Sequence, residues 1–64
     1  MTRLLTAEEV AARWQVPKSH VYRLTREGVI PAVPLGRYYR YRLDTIEAWE
    51  RDQEARVADA RATP

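Results

Sequence analysis

The chain of 64 residues contains no cysteine, no phenylalanine, one histidine and two glycines. Without cysteine it can form neither a disulfide framework nor a thiolate zinc site, and one histidine cannot build a histidine metal site. No apolar run approaches the ~20 residues of a membrane span, and residues 1–5 are too short for a secretory leader, so we expect a cytoplasmic protein. So short a chain excludes a catalytic domain with its own substrate cleft.

A small set of apolar side chains makes up the predicted core. The two tryptophans carry the largest apolar area in this set. We expect one domain over residues 1–59 and a disordered tail over residues 60–64. The predicted core residues are Leu4, Leu5, Val10, Trp14, Val16, Val21, Leu24, Val29, Ile30, Val33, Leu35, Tyr41, Ile46 and Trp49.

Charge is distributed unevenly along the chain. Residues 1–43 carry eight basic and three acidic side chains, a net charge of +5, whereas residues 44–64 carry three basic and six acidic ones, a net charge of −3. All basic residues but Lys18 are arginines, whose planar guanidinium matches phosphate groups and guanine edges. A basic front suggests a polyanionic partner, although the charge count alone fits a solvated surface equally well.

Two successive helices are predicted between about residues 7 and 27. Thr6 and Glu9 form a capping-box signature before the first helix. Pro17 fits the first position of the second helix, because its missing N–H costs nothing there. Gly28 fits the position just past the end of that helix. The spacing therefore predicts helix, short turn, helix.

A hairpin and a third helix follow in the predicted order. Gly36–Tyr38 can form the hairpin turn, and Tyr39–Arg42 alternate with the period of two that a strand requires. Pro34 restricts its own segment to a sheet edge. An N-cap signature at Asp44 starts a helix that is expected to run to about Ala58. Two pairs in this helix have the i,i+4 spacing of ion pairs: Glu47 with Arg51, and Asp52 with Arg56.

This order of elements is that of a winged helix-turn-helix, so the predicted fold class is mainly α with a small two-stranded β-hairpin. In such a domain the second helix lies in the DNA major groove, and the hairpin, or wing, reaches the minor groove or a neighbouring phosphate. The predicted recognition-helix residues, which include no carboxylate, are Lys18, Ser19, His20, Tyr22, Arg23 and Arg26. The predicted wing residues are Arg37, Tyr38 and Arg40.

Five blocks of the sequence resemble the excisionase family of MerR-like winged helix-turn-helix proteins. The blocks are residues 4–11, 16–24, 28–33, 35–37 and 44–49, so the resemblance covers about residues 4–50. Thr25 departs from the family pattern, where an aliphatic residue is usual, and we expect it to weaken the helix packing slightly. Tyr38 departs too, because the family often has arginine there.

The resemblance implies a function and a set of partners. The chain would bind double-stranded DNA through the second helix and the wing. It would act as an excisionase, or recombination directionality factor, which binds repeated sites, bends DNA and directs an integrase toward excision. Neighbouring copies on DNA and an integrase are thus expected partners, whereas no cofactor, membrane or small-molecule effector is expected.

Two other functions remain open, and catalysis is not expected. The chain could be a small MerR-like transcriptional regulator, or a protein-interaction adaptor whose basic face meets an acidic partner. Ser19 and His20 are adjacent, so on a helix they diverge by about 100° and cannot form a nucleophile–base pair. We therefore assign no catalytic or metal-binding residue. Arg3 and Arg13 are expected to be solvated.

Overall fold

A computed structural model describes the backbone of residues 3–62 and the side chains of residues 3–57. Three helices and a three-stranded antiparallel sheet of order β1-β3-β2 form the fold, so the predicted winged helix-turn-helix is confirmed. In chain order the elements are β1 (Leu4–Leu5), α1 (Ala7–Trp14), α2 (Lys18–Arg26), β2 (Val33–Leu35), β3 (Tyr38–Arg42) and α3 (Leu43–Ala62).

Helix α1 has defined signals at both ends. The predicted capping box is confirmed, because the Glu9 amide donates to the Thr6 hydroxyl at 3.1 Å and the Thr6 amide donates to the Glu9 carboxylate at 3.0 Å. The hydrogen bond from the Thr6 backbone lowers the pKa of Glu9. At the other end Gln15 adopts the left-handed conformation with φ 57°, and the Val16 amide returns to the Ala11 carbonyl at 3.0 Å. This closure sets the tight turn toward α2.

Helix α2 begins one residue later than predicted. Pro17 is the N-cap residue, with φ −63° and ψ 147°, so the prediction that it occupies the first helical position is wrong. The turn after Gln15 needs an extended ψ at Pro17, whose carbonyl then accepts the His20 amide at 3.0 Å. The predicted end is confirmed: Gly28 has φ 72° and lies just past the last turn.

The wing is the hairpin of β2 and β3, joined by the two residues Gly36 and Arg37. Gly36 has φ 64°, and glycine at the first of two loop residues is typical of a type II′ turn. Pro34 lies opposite Tyr39 on the edge strand, as predicted.

A short strand that was not predicted completes the sheet. In β1, Leu5 pairs with Tyr41 and Leu4 with Arg42. Two residues are too few for an alternating pattern to be recognised. The predicted two-stranded hairpin is therefore part of a three-stranded sheet, and β1 ties the start of the chain to the wing.

The core lies between the helix pair and the sheet. Three residues that were predicted to be in it are exposed instead: Leu4 by 45%, Val29 by 46% and Leu35 by 49%. Leu4 points away because its strand neighbour Leu5 points inward. The buried apolar residues are Leu5, Ala7, Val10, Ala11, Val21, Ile30, Tyr41 and Ile46, and Trp14, Val16, Leu24 and Trp49 pack against them.

Helix α3 continues from β3 without a loop. It begins at Leu43, so Asp44 lies in its first turn and the predicted N-cap position was wrong. The helix extends past the predicted end at Ala58 to Ala62, and residues 63–64 of the predicted tail lie outside the described residues.

One of the two ion pairs that were predicted along α3 is present. Arg56 contacts Asp52 at 3.1 Å. Among the described side chains, no ion pair joins Glu47 to Arg51, so that prediction was wrong.

Glu50 holds α3 against α1. Arg13 donates to both of its carboxylate oxygens, at 2.7 and 2.8 Å, and the Trp14 indole N–H donates to it at 2.6 Å. The hydrogen bond from Arg13 lowers the pKa of Glu50, and the same bond raises the pKa of Arg13. Arg13 is thus held by Glu50 rather than simply solvated as expected, whereas the Arg3 side chain is 67% exposed, in line with the expectation, while also contacting Glu9 at 2.7 Å.

The tryptophans form a second contact between the two helices. The rings of Trp14 and Trp49 are tilted, with centroids 5.1 Å apart. The Trp49 indole N–H also donates to the Val29 carbonyl at 3.0 Å. At this point α3 contacts both α1 and the loop that follows α2. Several contacts therefore set the position of α3.

Candidate nucleic-acid interface

Helix α2 separates its buried residues from the six that were predicted as its recognition surface. Val21 is fully buried and Leu24 is partly buried. His20 is partly buried, and the other five predicted residues are exposed: Lys18, Ser19, Tyr22, Arg23 and Arg26. The outer face is therefore rich in donors, and its own helix contributes no carboxylate to it.

A carboxylate from α1 approaches this surface, and the sequence argument missed it. Lys18 Nζ lies 3.3 Å from Glu8 Oε1, and both side chains are well exposed. Glu8 occupies the first turn of α1, where the helix dipole stabilises a negative charge. Because the contact depends on how α1 packs against α2, no local pattern in the sequence indicated it.

A hydrogen bond within α2 joins two of the predicted residues. Arg23 Nη2 lies 2.8 Å from His20 Nδ1. A guanidinium has only donors, so the imidazole nitrogen is the acceptor. The pair leaves Arg23 oriented on an exposed helix face without a carboxylate beside it.

The wing carries its polar groups at the turn and along β3. Arg37 is exposed in the turn, and Tyr38 is 59% exposed beside it. Arg40 donates to the Tyr39 carbonyl at 2.8 Å and lies 5.7 Å from the centroid of the Tyr38 ring. This distance is within the range of a cation–π interaction, which holds the Arg40 guanidinium along the hairpin.

A groove of about 260 Å³ lies between the helix pair and the wing. Tyr22 lines it from α2, Tyr38 and Arg40 line it from the wing, and Thr6, Ala7 and Glu8 line it from the start of α1. One residue of the predicted α2 surface and two of the predicted wing residues therefore line the same groove.

Thr25 links α2 to the sheet behind this surface. Its hydroxyl donates to the Val21 carbonyl at 2.8 Å and lies 2.5 Å from the Tyr41 hydroxyl. Because the threonine proton is used on the carbonyl, the phenol donates to Thr25. Burial raises the pKa of Tyr41. The polar group that departs from the family pattern is therefore hydrogen-bonded.

Charge pairing is uneven over the part of the chain with described side chains. Arg3, Arg13, Lys18 and Arg56 each contact a carboxylate. Six described arginines form no ion pair with a described carboxylate: Arg51 on α3, and five on α2 and the hairpin, which are Arg23, Arg26, Arg37, Arg40 and Arg42. Such groups are available to an external anion.

Arg42 is the member of the α2 and hairpin set that was not predicted. It lines a pocket of about 230 Å³ together with Thr45 and residues 31–33. Its place two residues after Arg40 on β3 was the available signal, since alternate strand residues share a face.

Neither a metal site nor a membrane span appears in the described part of the chain. No three histidine or acidic residues are grouped there in a way that could hold a metal ion. None of the helices there combines the length and apolar character that crossing a membrane would require.

The two helices with their tight turn, followed by the hairpin wing, define a winged helix-turn-helix domain. Residues 4–54 match the family described as "Helix-turn-helix domain", and the chain belongs to that family. It is not an enzyme family.

Two relatives come from Mycobacterium tuberculosis, strains CDC 1551 / Oshkosh and ATCC 25618 / H37Rv, and the name of each describes a candidate DNA-binding protein. Each is 54% identical to this chain over 39 residues, which is 61% of this chain and 50% of the relative. The match thus spans half the length of these relatives. No solved protein structure matches the chain.

Proposed function

We propose that the chain binds double-stranded DNA, with α2 in the major groove and the wing beside it. The observation that carries the proposal is that five of the six described arginines without an ion pair lie on α2 and the hairpin. Phosphate contacts dominate the affinity of such proteins for DNA. The names of the Mycobacterium tuberculosis relatives, which describe candidate DNA-binding proteins, support the same partner.

The proposed contacts divide between two parts of the surface. In the major groove, the contacts are made by Lys18, Ser19, His20, Tyr22, Arg23 and Arg26. At the wing, Arg37 and Arg40 bind the adjacent phosphates or minor groove, and Tyr38 packs against the sugars. The groove between the helix pair and the wing supports this division, because Tyr22 lines it from α2 and Tyr38 lines it from the wing.

We further propose that the biological role is that of an excisionase, with neighbouring copies and an integrase as partners. A single small domain reads only a short site, so useful affinity needs copies bound side by side on repeats. This role rests on the family resemblance of residues 4–50. A small transcriptional regulator would use the same fold and surface on a different kind of site.

Selection from a pool of random duplexes at two salt concentrations tests the DNA-binding proposal. We expect one enriched motif, bound more weakly at the higher salt. Arg26→Gln is expected to weaken binding about five- to tenfold, as loss of a charged hydrogen bond to DNA, whereas Arg56→Gln, with the same change in net charge, should bind like the parent. Without enrichment, or with equal losses in both variants, the adaptor function would be favoured.

The location of the enriched motif then tests the biological role. Direct repeats within an attachment region, bound cooperatively as a ladder of shifted bands, are expected for an excisionase. A single operator over a promoter would instead identify a transcriptional regulator. An integrase reaction on attachment-site DNA completes the test, since the chain should raise the excision product and lower the integration product.

A further inference from the structure

Two side chains on the outer face of α2 are joined without any carboxylate. Arg23 Nη2 lies 2.8 Å from His20 Nδ1, and the residues are three positions apart, so they share a face of the helix. Arginine has no acceptor, so the bond requires a neutral imidazole whose proton is on Nε2. This hydrogen bond restricts the Arg23 side chain before any partner is bound.

The neighbouring arginine on the same helix lacks such a restraint. Arg26 makes no side-chain hydrogen bond or ion pair with a described residue, although it is exposed like Arg23. The two arginines therefore differ in how far their guanidinium groups are oriented. An oriented group suits a directional contact, whereas a free one suits a phosphate, which accepts from many directions.

We propose that His20 is a positioning residue that orients Arg23 to read a guanine in the major groove. The proposal rests on the proposed DNA-binding function and adds the base that is read. A side chain that is already held loses less conformational freedom on binding, so the gain in affinity applies only where the held orientation fits. His20 thus contributes to discrimination between sites more than to general affinity for DNA.

The chemistry of the pair selects the base. Once the bond between them is made, the remaining polar groups are the other guanidinium N–H groups and the His20 Nε2–H, all of them donors. Guanine presents two neighbouring acceptors in the major groove, O6 and N7, whereas adenine presents a donor beside its N7. The pair is therefore complementary to guanine and mismatched to adenine.

A double-mutant cycle on the selected duplex and on an unrelated duplex tests the positioning role. His20→Ala is expected to weaken binding to the selected duplex about three- to tenfold and to weaken binding to the unrelated duplex by a clearly smaller factor. In an Arg23→Ala background the same change should weaken binding by a clearly smaller factor, because His20 acts mainly through Arg23. His20→Asn should recover part of the loss, since its amide oxygen can accept from the guanidinium.

Arg26→Ala is the matched control, and it should weaken both duplexes equally. Replacing the selected guanine by 7-deazaguanine should weaken the parent but not Arg23→Ala. The positioning role is overturned if His20→Ala binds the selected duplex like the parent. It is also overturned if His20→Ala reduces affinity by the same factor in the Arg23→Ala background as in the parent. In either case the parent still selects its site and the proposed function stands; if the parent selects no site, both proposals fail.

Discussion

Gln15 concentrates the conformational strain of the helix-turn-helix at one residue. Its φ of 57° is in the left-handed region, and it is the only non-glycine described there. Because glycine adopts this conformation without the Cβ clash, Gln15→Gly should stabilise the fold by about 1 kcal/mol. Thermal unfolding should show a midpoint higher by about 4–8 °C. The control is Ala12→Gly, at an exposed position in the middle of α1, and it should lower the unfolding midpoint. Equal shifts of the midpoint in both variants would contradict the strain argument.

Glu8 is the residue whose charge works against the proposed DNA surface. It lines the groove and contacts Lys18 at 3.3 Å. Glu8→Gln should therefore tighten DNA binding about two- to fivefold, because it frees Lys18 and removes a repulsion from phosphate. A gel-shift titration measures this, with Glu54→Gln on α3 as the variant of equal charge. If the two variants bind alike, the Lys18–Glu8 contact plays no part in the DNA complex.

At the scale of the element, Glu50 holds helix α3 against α1. Because Glu50 can be protonated, the packing of α3 on α1 depends on pH. Hydrogen bonds from Arg13 lower the folded-state pKa of Glu50 below its ordinary value of 4.5. The stabilisation is therefore complete above that value and is lost as the pH falls through the lower folded-state pKa. Glu50→Gln should cost about 1–3 kcal/mol at neutral pH. Unfolding midpoints between pH 7 and 3 should fall more steeply for the parent than for Glu50→Gln, and parallel curves would contradict the assignment.

Elements whose ends carry local signals were predictable, and those set by distant contacts were not. The Thr6 capping box and Gly28 act through neighbouring backbone groups, so the sequence predicts both. Strand β1 exists only because Leu5 pairs with Tyr41, far along the chain. The start of α3 at Leu43 similarly follows from its direct continuation of β3, which no local pattern reveals. The composition of the outer face of α2 was predictable from helical spacing, whereas the approach of Glu8 required the packing of two helices.

At the scale of the whole molecule, ion pairing divides the positive charge into two classes. Outside α2 and the hairpin, Arg3, Arg13 and Arg56 are each paired with a carboxylate and Arg51 is not, whereas Arg37 at the wing has no carboxylate partner among the described side chains. Each phosphate that a cation neutralises adds about −0.9 to the slope of log K against log salt. Because Arg23 is proposed to bind a base, phosphate contacts from the other unpaired arginines of α2 and the hairpin, namely Arg26, Arg37, Arg40 and Arg42, would give a slope of about −3.6.

Variants of equal net charge separate these two classes in a salt titration. Arg37→Gln should reduce the slope by about one and weaken binding to all duplexes alike, because a wing contact to phosphate is insensitive to sequence. Arg56→Gln should leave the slope unchanged, since that guanidinium lies on α3 beside Asp52. If both substitutions reduced the slope equally, net charge rather than the α2 and wing surface would govern binding. A parent slope near zero would remove phosphate contacts from the mechanism altogether.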